Sequence, residues 1–221
     1  MVVDPRKRQK KLERRKAKAK AERRKLGKWQ TQGVPGRMRQ AATAPILHCC
    51  AGAAIWQEGI GQILISRQLS SGMVAFGCFL VDTYCLGVKN AFMNIVPHAR
   101  YADLYGRIIR QDETVEMQPE CARKLIEGAV EYADKLGFSP HPDYQTAKLI
   151  FGNIDVEACH EEFTFGKDGK PFFVAGPYDS PAHCEQIIRT LHDRCGLGRY
   201  HFVMPADERF SEELRIEGRL L

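Results

Sequence analysis

The chain has no apolar run long enough to cross a bilayer: its longest, residues 73–81, is about half of what a spanning helix needs. No apolar stretch follows its basic beginning, so that beginning does not read as a secretory signal and export is not expected. None of the eight cysteines stands in a C-x-x-C pair, which removes the commonest zinc and redox spacings. Gly166-Lys167-Asp168-Gly169-Lys170 lacks the spacing of a phosphate loop and the Ser or Thr after its lysine, and it reads as a hairpin turn. No internal repeat is found. No aromatic residue precedes Trp29, so whatever the first residues bind, they do not bind it by base stacking.

Acid is also scarce at the beginning. Residues 1–28 hold Arg6, Lys7, Arg8, Lys10, Lys11, Arg14, Arg15, Lys16, Lys18, Lys20, Arg23, Arg24, Lys25 and Lys28 against only Asp4, Glu13 and Glu22. The other 193 residues carry 19 basic and 24 acidic side chains, so an arm of net +11 precedes a body of net −5. Fourteen cations in so short a length suit a phosphate backbone, whose condensed counterions they release. The fourteen are the candidate nucleic-acid-binding residues, and RNA or the ribosome is the expected partner. The interaction should carry little sequence preference, because phosphate contacts position but do not specify.

Asp4 suits an N-cap, Pro5 the first helical position and Gly27 the residue after the end, so the arm reads as a helix when bound. Spanning 5–26 it would be roughly 33 Å long. Only Leu12 and Leu26 are large and apolar, too few to dock it on the body. The arm is therefore expected as a helical or disordered appendage at 1–28, followed by a loose tether at 29–45 with Gly33, Pro35, Gly36 and Pro45.

With 44% hydrophobic residues, the chain has enough apolar material for one full core, and residues 46–221 read as a single α+β domain. A short strand opens at Ile46. One hairpin pairs 62–69 with 73–82 around Ser70-Ser71-Gly72, and a second pairs 163–166 with 172–175 around Asp168-Gly169. Residues 83–92 read as a third strand or a turn into one. Helical periodicity with proline at the start and glycine at the end marks 97–110, 119–136 and 142–151. Another helix is capped by Ser180 and closed by Gly196, and 200–204 reads as a last strand. The expected fold is a mixed or antiparallel sheet with two β-hairpins, packed against several helices.

Few residues of the body invite chemistry. Asp82 ends an apolar strand, a place where the metal-binding carboxylates of phosphoryl-transfer enzymes sit, and also where an aspartate simply caps a turn. With Asp143, Asp155, Glu161 and Glu162 it could build a two-metal nuclease site, although no spacing among them is diagnostic. His192 with Cys195, and the pairs Cys159-His160 and His183-Cys184, raise zinc, but Cys184 and Cys195 lie on the apolar stripe of their helix. All eight cysteines read as reduced core thiols. Cys85 with His98 or His141 would be a nucleophile only beside a cation or helix terminus that lowers its pKa.

The phrases Val81-Asp82-Thr83-Tyr84-Cys85-Leu86-Gly87-Val88-Lys89-Asn90-Ala91-Phe92 and Leu136-Gly137-Phe138-Ser139-Pro140-His141-Pro142-Asp143-Tyr144, behind a basic arm, resemble a bacterial protein family without assigned activity. The resemblance implies a bacterial cytoplasmic protein and carries no catalytic residue. The sequence thus points to a non-enzymatic RNA- or ribosome-associated protein with no cofactor and no metal. A metal-dependent nuclease or related hydrolase with Asp82 as a ligand is the alternative.

Overall fold

The computed structural model describes residues 33–111 and 113–204. The arm at 1–28, with its expected helix and all fourteen cations, lies outside the described residues. The fold is α+β. A five-stranded antiparallel sheet is built from β1 (Ile46–Gly52), β2 (Ile60–Gln68), β3 (Met73–Asp82), β4 (Gly87–Pro97) and β5 (Thr114–Glu116), in the order β4-β3-β2-β1-β5.

Its central strands are apolar on both faces because both faces are covered. Ala75, Phe79 and Val81 of β3, with Ile63 and Ile65 of β2, pack under helix α4 (Pro119–Lys135), whose Ala122, Leu125, Ile126 and Ala129 form a stripe of helical period. Val74, Phe76 and Cys78 point the other way, onto Tyr101 and Leu104 of helix α3 (His98–Gln111). A third cluster lies at one end, where Leu136 and Cys85 meet Ile187, Ile188 and Leu191 of the Ser180-capped helix Pro181–Cys195. Gly87 has φ +65°, and a Cβ there would lie 2.8 Å from that of Ala133, so the start of β4 touches α4 through a bare backbone.

The first hairpin forms as expected, with Gln62 opposite Leu80 and Gln68 opposite Val74. Residues 83–92 turn and then enter β4. Three expectations need correction. The tether is partly helix: α1 (Val34–Ala41) has proline in its first turn and buries Met38 and Ala41 against the core, which is enough apolar surface to hold one short helix in place.

The second hairpin does not form. Asp168 (φ 52°) and Gly169 (φ 75°) make the tight turn, and Lys167 and Lys170 exchange hydrogen bonds across it. Beyond those residues the arms part, because the turn between β3 and β4 takes both: Gly166 N donates to Thr83 O and Phe172 N to Tyr84 O. Phe163 and Phe165 pack on the main core, while β6 (Phe172–Val174) pairs in parallel with β7 (His201–Val203). Finally, Cys121 and Cys159 are joined in a disulfide, so the reading of all eight as reduced thiols fails for these two. The other six are free. Among the described residues, no helix is long and apolar enough to cross a membrane.

Candidate functional site

Asp82 performs the turn-capping role. Its Oδ1 accepts from Tyr84 N and Cys85 N, both at 2.9 Å, and thereby shapes the turn that leads into β4. Burial pushes its carboxyl pKa up, while the backbone N–H groups and Lys89 pull it down. The other carboxylates do not join it: Asp155 caps a single turn by accepting from Glu157 N, and Glu162 pairs with Lys124 at 3.5 Å. Among the described residues, no three His, Cys, Asp or Glu side chains gather as metal ligands. Cys85 is fully buried and its thiol is pushed up, first by burial and then by Asp82, the reverse of what a nucleophile needs.

A polar constellation that the sequence reading did not pick out lies at the β1 edge. His48 and Ser66 are cross-strand partners on the face covered by α3. Ser66 Oγ accepts from His48 N (3.0 Å) and from Tyr101 Oη (2.8 Å), and donates to His48 O (3.2 Å). Tyr101 Oη also lies 2.9 Å from His48 Nδ1, a hydrogen bond in which the donor is set by the imidazole tautomer. His48 Nε2 has no hydrogen-bond partner among the described residues. The ring lies flat on Tyr105, 4.1 Å between centroids and 2° between planes. Burial and then His98 lower the imidazole pKa while Glu116 raises it, so the ring is neutral at pH 7.

This edge borders an open groove of about 920 Å³. Strand β5 covers β1 only at Cys50–Gly52, so the beginning of β1 forms the floor. Glu116 and Glu161 bring carboxylates to the rim, and Trp56, which lies along Phe163, brings an aromatic wall. Among the described residues, no lysine or arginine lines it, while Tyr105, Thr114 and Gln118 bring hydrogen-bond donors.

A smaller groove of about 560 Å³ has the opposite character, with Arg39, Arg123 and Lys148 facing one acid, Glu127. Arg123 is held by Glu127 (3.0 Å) and Ile154 O (2.6 Å), and Lys148 lies over the Tyr144 ring. Arg39 belongs to α1, which begins six positions after Lys28, the last cation of the arm. No family model, curated protein or solved structure matches the chain.

Proposed function

We propose that this protein is a non-enzymatic RNA- or ribosome-associated protein of the bacterial cytoplasm that holds the phosphate backbone through its arm at 1–28. The observation that carries this reading is the segregation of charge, net +11 in the arm against net −5 in the remainder. A chain that needed positive charge only for solubility could scatter it, whereas concentration in one segment builds a high local field for a polyanion. The groove of Arg39, Arg123 and Lys148 adds support, because it gives the described body a basic face and Arg39 follows Lys28 by only eleven positions in sequence.

Single-stranded RNA binding by the full chain, followed against salt, tests this. Engagement of about six phosphates predicts an affinity loss on the order of 10³-fold between 50 and 200 mM salt. The 29–221 fragment, which keeps every described contact of the body, should lose binding at 150 mM. Binding that survives this truncation would refute the reading. The nuclease alternative gains no observation from the body, since Asp82 is spent on a turn.

A further inference from the structure

We propose that the free edge of β4 is the docking surface for a second copy of this chain, paired antiparallel about a two-fold axis at Met93 so that the two sheets become one. The inference is independent of whether the arm binds RNA.

The backbone carries the argument. Along β3 the odd residues face β2, as Met73 O shows by accepting from Leu69 N, so the even residues from Val74 to Leu80 face β4. Their partners there are Val96, Asn94, Phe92 and Asn90. Ala91, Met93 and Ile95 therefore turn their N–H and C=O groups outward, away from the sheet. Of these groups only Ile95 N is hydrogen-bonded, to Oδ1 of exposed Asn94 at 2.8 Å, and the rest have no partner among the described residues. His141 N reaches the same edge further back, where it donates to Val88 O.

An open edge pairs with other strands, and proteins that keep one unpartnered blunt it with charge, proline, a bulge or shortness. The opposite edge of this sheet is blunted, since β5 spans three residues and ends on Glu116. β4 is not. It is the longest strand of the sheet, and no side chain from Asn90 to Pro97 is charged. Its irregularity lies before Asn90, opposite Leu80 and Val81, and its proline is the last residue. Both faces are apolar as well: Phe92 is 45% exposed on the α3 face, and Met93 and Ile95 are half-buried on the other.

A second copy is the occupant that this edge fits. A foreign strand would be selected by charges or side-chain pockets, and the edge has no charge and is reached by neither groove. A copy related by a two-fold needs only self-complementarity, which the even spacing of Ala91, Met93 and Ile95 supplies. With Met93 opposite its own copy, Ala91 of each chain falls opposite Ile95 of the other, for about six main-chain hydrogen bonds. Ile95 N exchanges the Asn94 side chain for a carbonyl. Phe92 comes to lie beside Asn94 of the other chain, and no like charges meet across the axis.

Sedimentation velocity of the full chain from about 1 to about 100 µM, at about 500 mM salt to strip nucleic acid, tests the pairing. The expected result is a dimer at the upper concentrations. Asn94→Lys, an exposed change that puts charge on the edge, should raise the dissociation constant at least about tenfold. Met93→Pro deletes an outward N–H while sparing the bonds to β3, and it should do the same, with the urea midpoint reporting that each variant is folded. Met93→Cys should crosslink copy to copy under mild oxidation, because facing residues of a hydrogen-bonded pair have Cα atoms about 5.5 Å apart. Asn90→Cys should crosslink no more than the parent. Amide exchange at Ala91 and Met93 should be slow in the dimer and fast in Asn94→Lys.

A monomer at the highest concentration would overturn the proposal. Slow exchange at Met93 in that monomer would give the edge to a segment of the chain itself, and fast exchange would leave it unpaired. A dimer undiminished by Asn94→Lys and by Met93→Pro, or crosslinked through Asn90→Cys rather than Met93→Cys, would overturn it as well.

Discussion

At the scale of single residues, Arg67 shows how a charge can be built into a core with no counter-charge among the described residues. It stands on the main-core side of β2 and is only 3% exposed. Its Nε donates to Ile150 O (2.8 Å), Nη1 to Ala44 O (2.6 Å) and Nη2 to Phe151 O (2.7 Å). Burial draws its pKa down, yet guanidinium stays charged, and three carbonyl dipoles replace the carboxylate. Arg67→Met removes the fork while keeping much of the apolar bulk, and should cost about 3 kcal/mol or more from orphaned carbonyls. A lower urea midpoint with an unchanged slope would show it, and Arg67→Lys should fall between, because one ammonium cannot reach three directions. His48 permits a second test by NMR titration. Its pKa should lie below 6.5, fall further in Glu116→Gln and rise in His98→Gln, while Tyr101, Tyr105 and Cys50 complete its surroundings. Since the folded value is the lower one, the unfolded chain binds the proton more readily, and His48 lowers stability as pH falls below about 6.5. Neither residue could be recognised beforehand. Arg67 and Ser66 are polar breaks in a strand that otherwise reads as buried, but their partners lie 83 and 35 positions away. Asp82 was easier, because an aspartate caps with N–H groups two and three residues on, a local relation that sequence displays.

Whole elements were legible wherever local signals agreed with long-range packing. α4 announces itself by Pro119, the closing Gly137 and its apolar stripe, and the later helix by Ser180, Pro181 and its own stripe, and the tertiary contacts use those same faces. The turn at Asp168-Gly169 was equally strong locally, but its arms found better partners in Thr83 O and Tyr84 O, and no local signal encodes that competition. α1 was hidden by Gly33, Pro35 and Gly36, because its stability comes from burying Met38 rather than from helix propensity. The disulfide belongs to this scale too, since it ties the first turn of α4 to the end of the single turn Val156–Ala158. No spacing rule links positions 38 apart. Closing a loop of that length is worth about 4 kcal/mol by chain entropy. Cys121→Ser with Cys159→Ser should therefore lower the urea-unfolding free energy by about 3–4 kcal/mol. Dithiothreitol should produce the same drop in the parent and none in the variant. A parent indifferent to reductant would mean that the two thiols are not joined in solution.

At the scale of the whole molecule, the arrangement of charge matters more than its sum. A net charge of +6 describes neither part, because an arm of +11 is carried by a body of −5 whose two grooves differ in sign. If the arm holds RNA as proposed, the field of the body would turn the strand away from the carboxylates of Glu116 and Glu161 and toward Arg39 and Lys148. Only the arm's part of this could be read in sequence, since a run of cations is local, whereas Arg39, Arg123 and Lys148 are brought together by folding. Their contribution is measurable separately from the arm's. For single-stranded RNA each phosphate contact adds about 0.7 to the slope of log affinity against log salt. Arg39→Gln with Lys148→Gln in the full chain should make that slope shallower by about 1.4 if the strand runs from arm to groove. The weakening should be uniform across RNA sequences, because these side chains would meet phosphates rather than bases. A slope unchanged by the two substitutions would confine contact to residues 1–28 and leave the body's basic groove without a part in holding RNA.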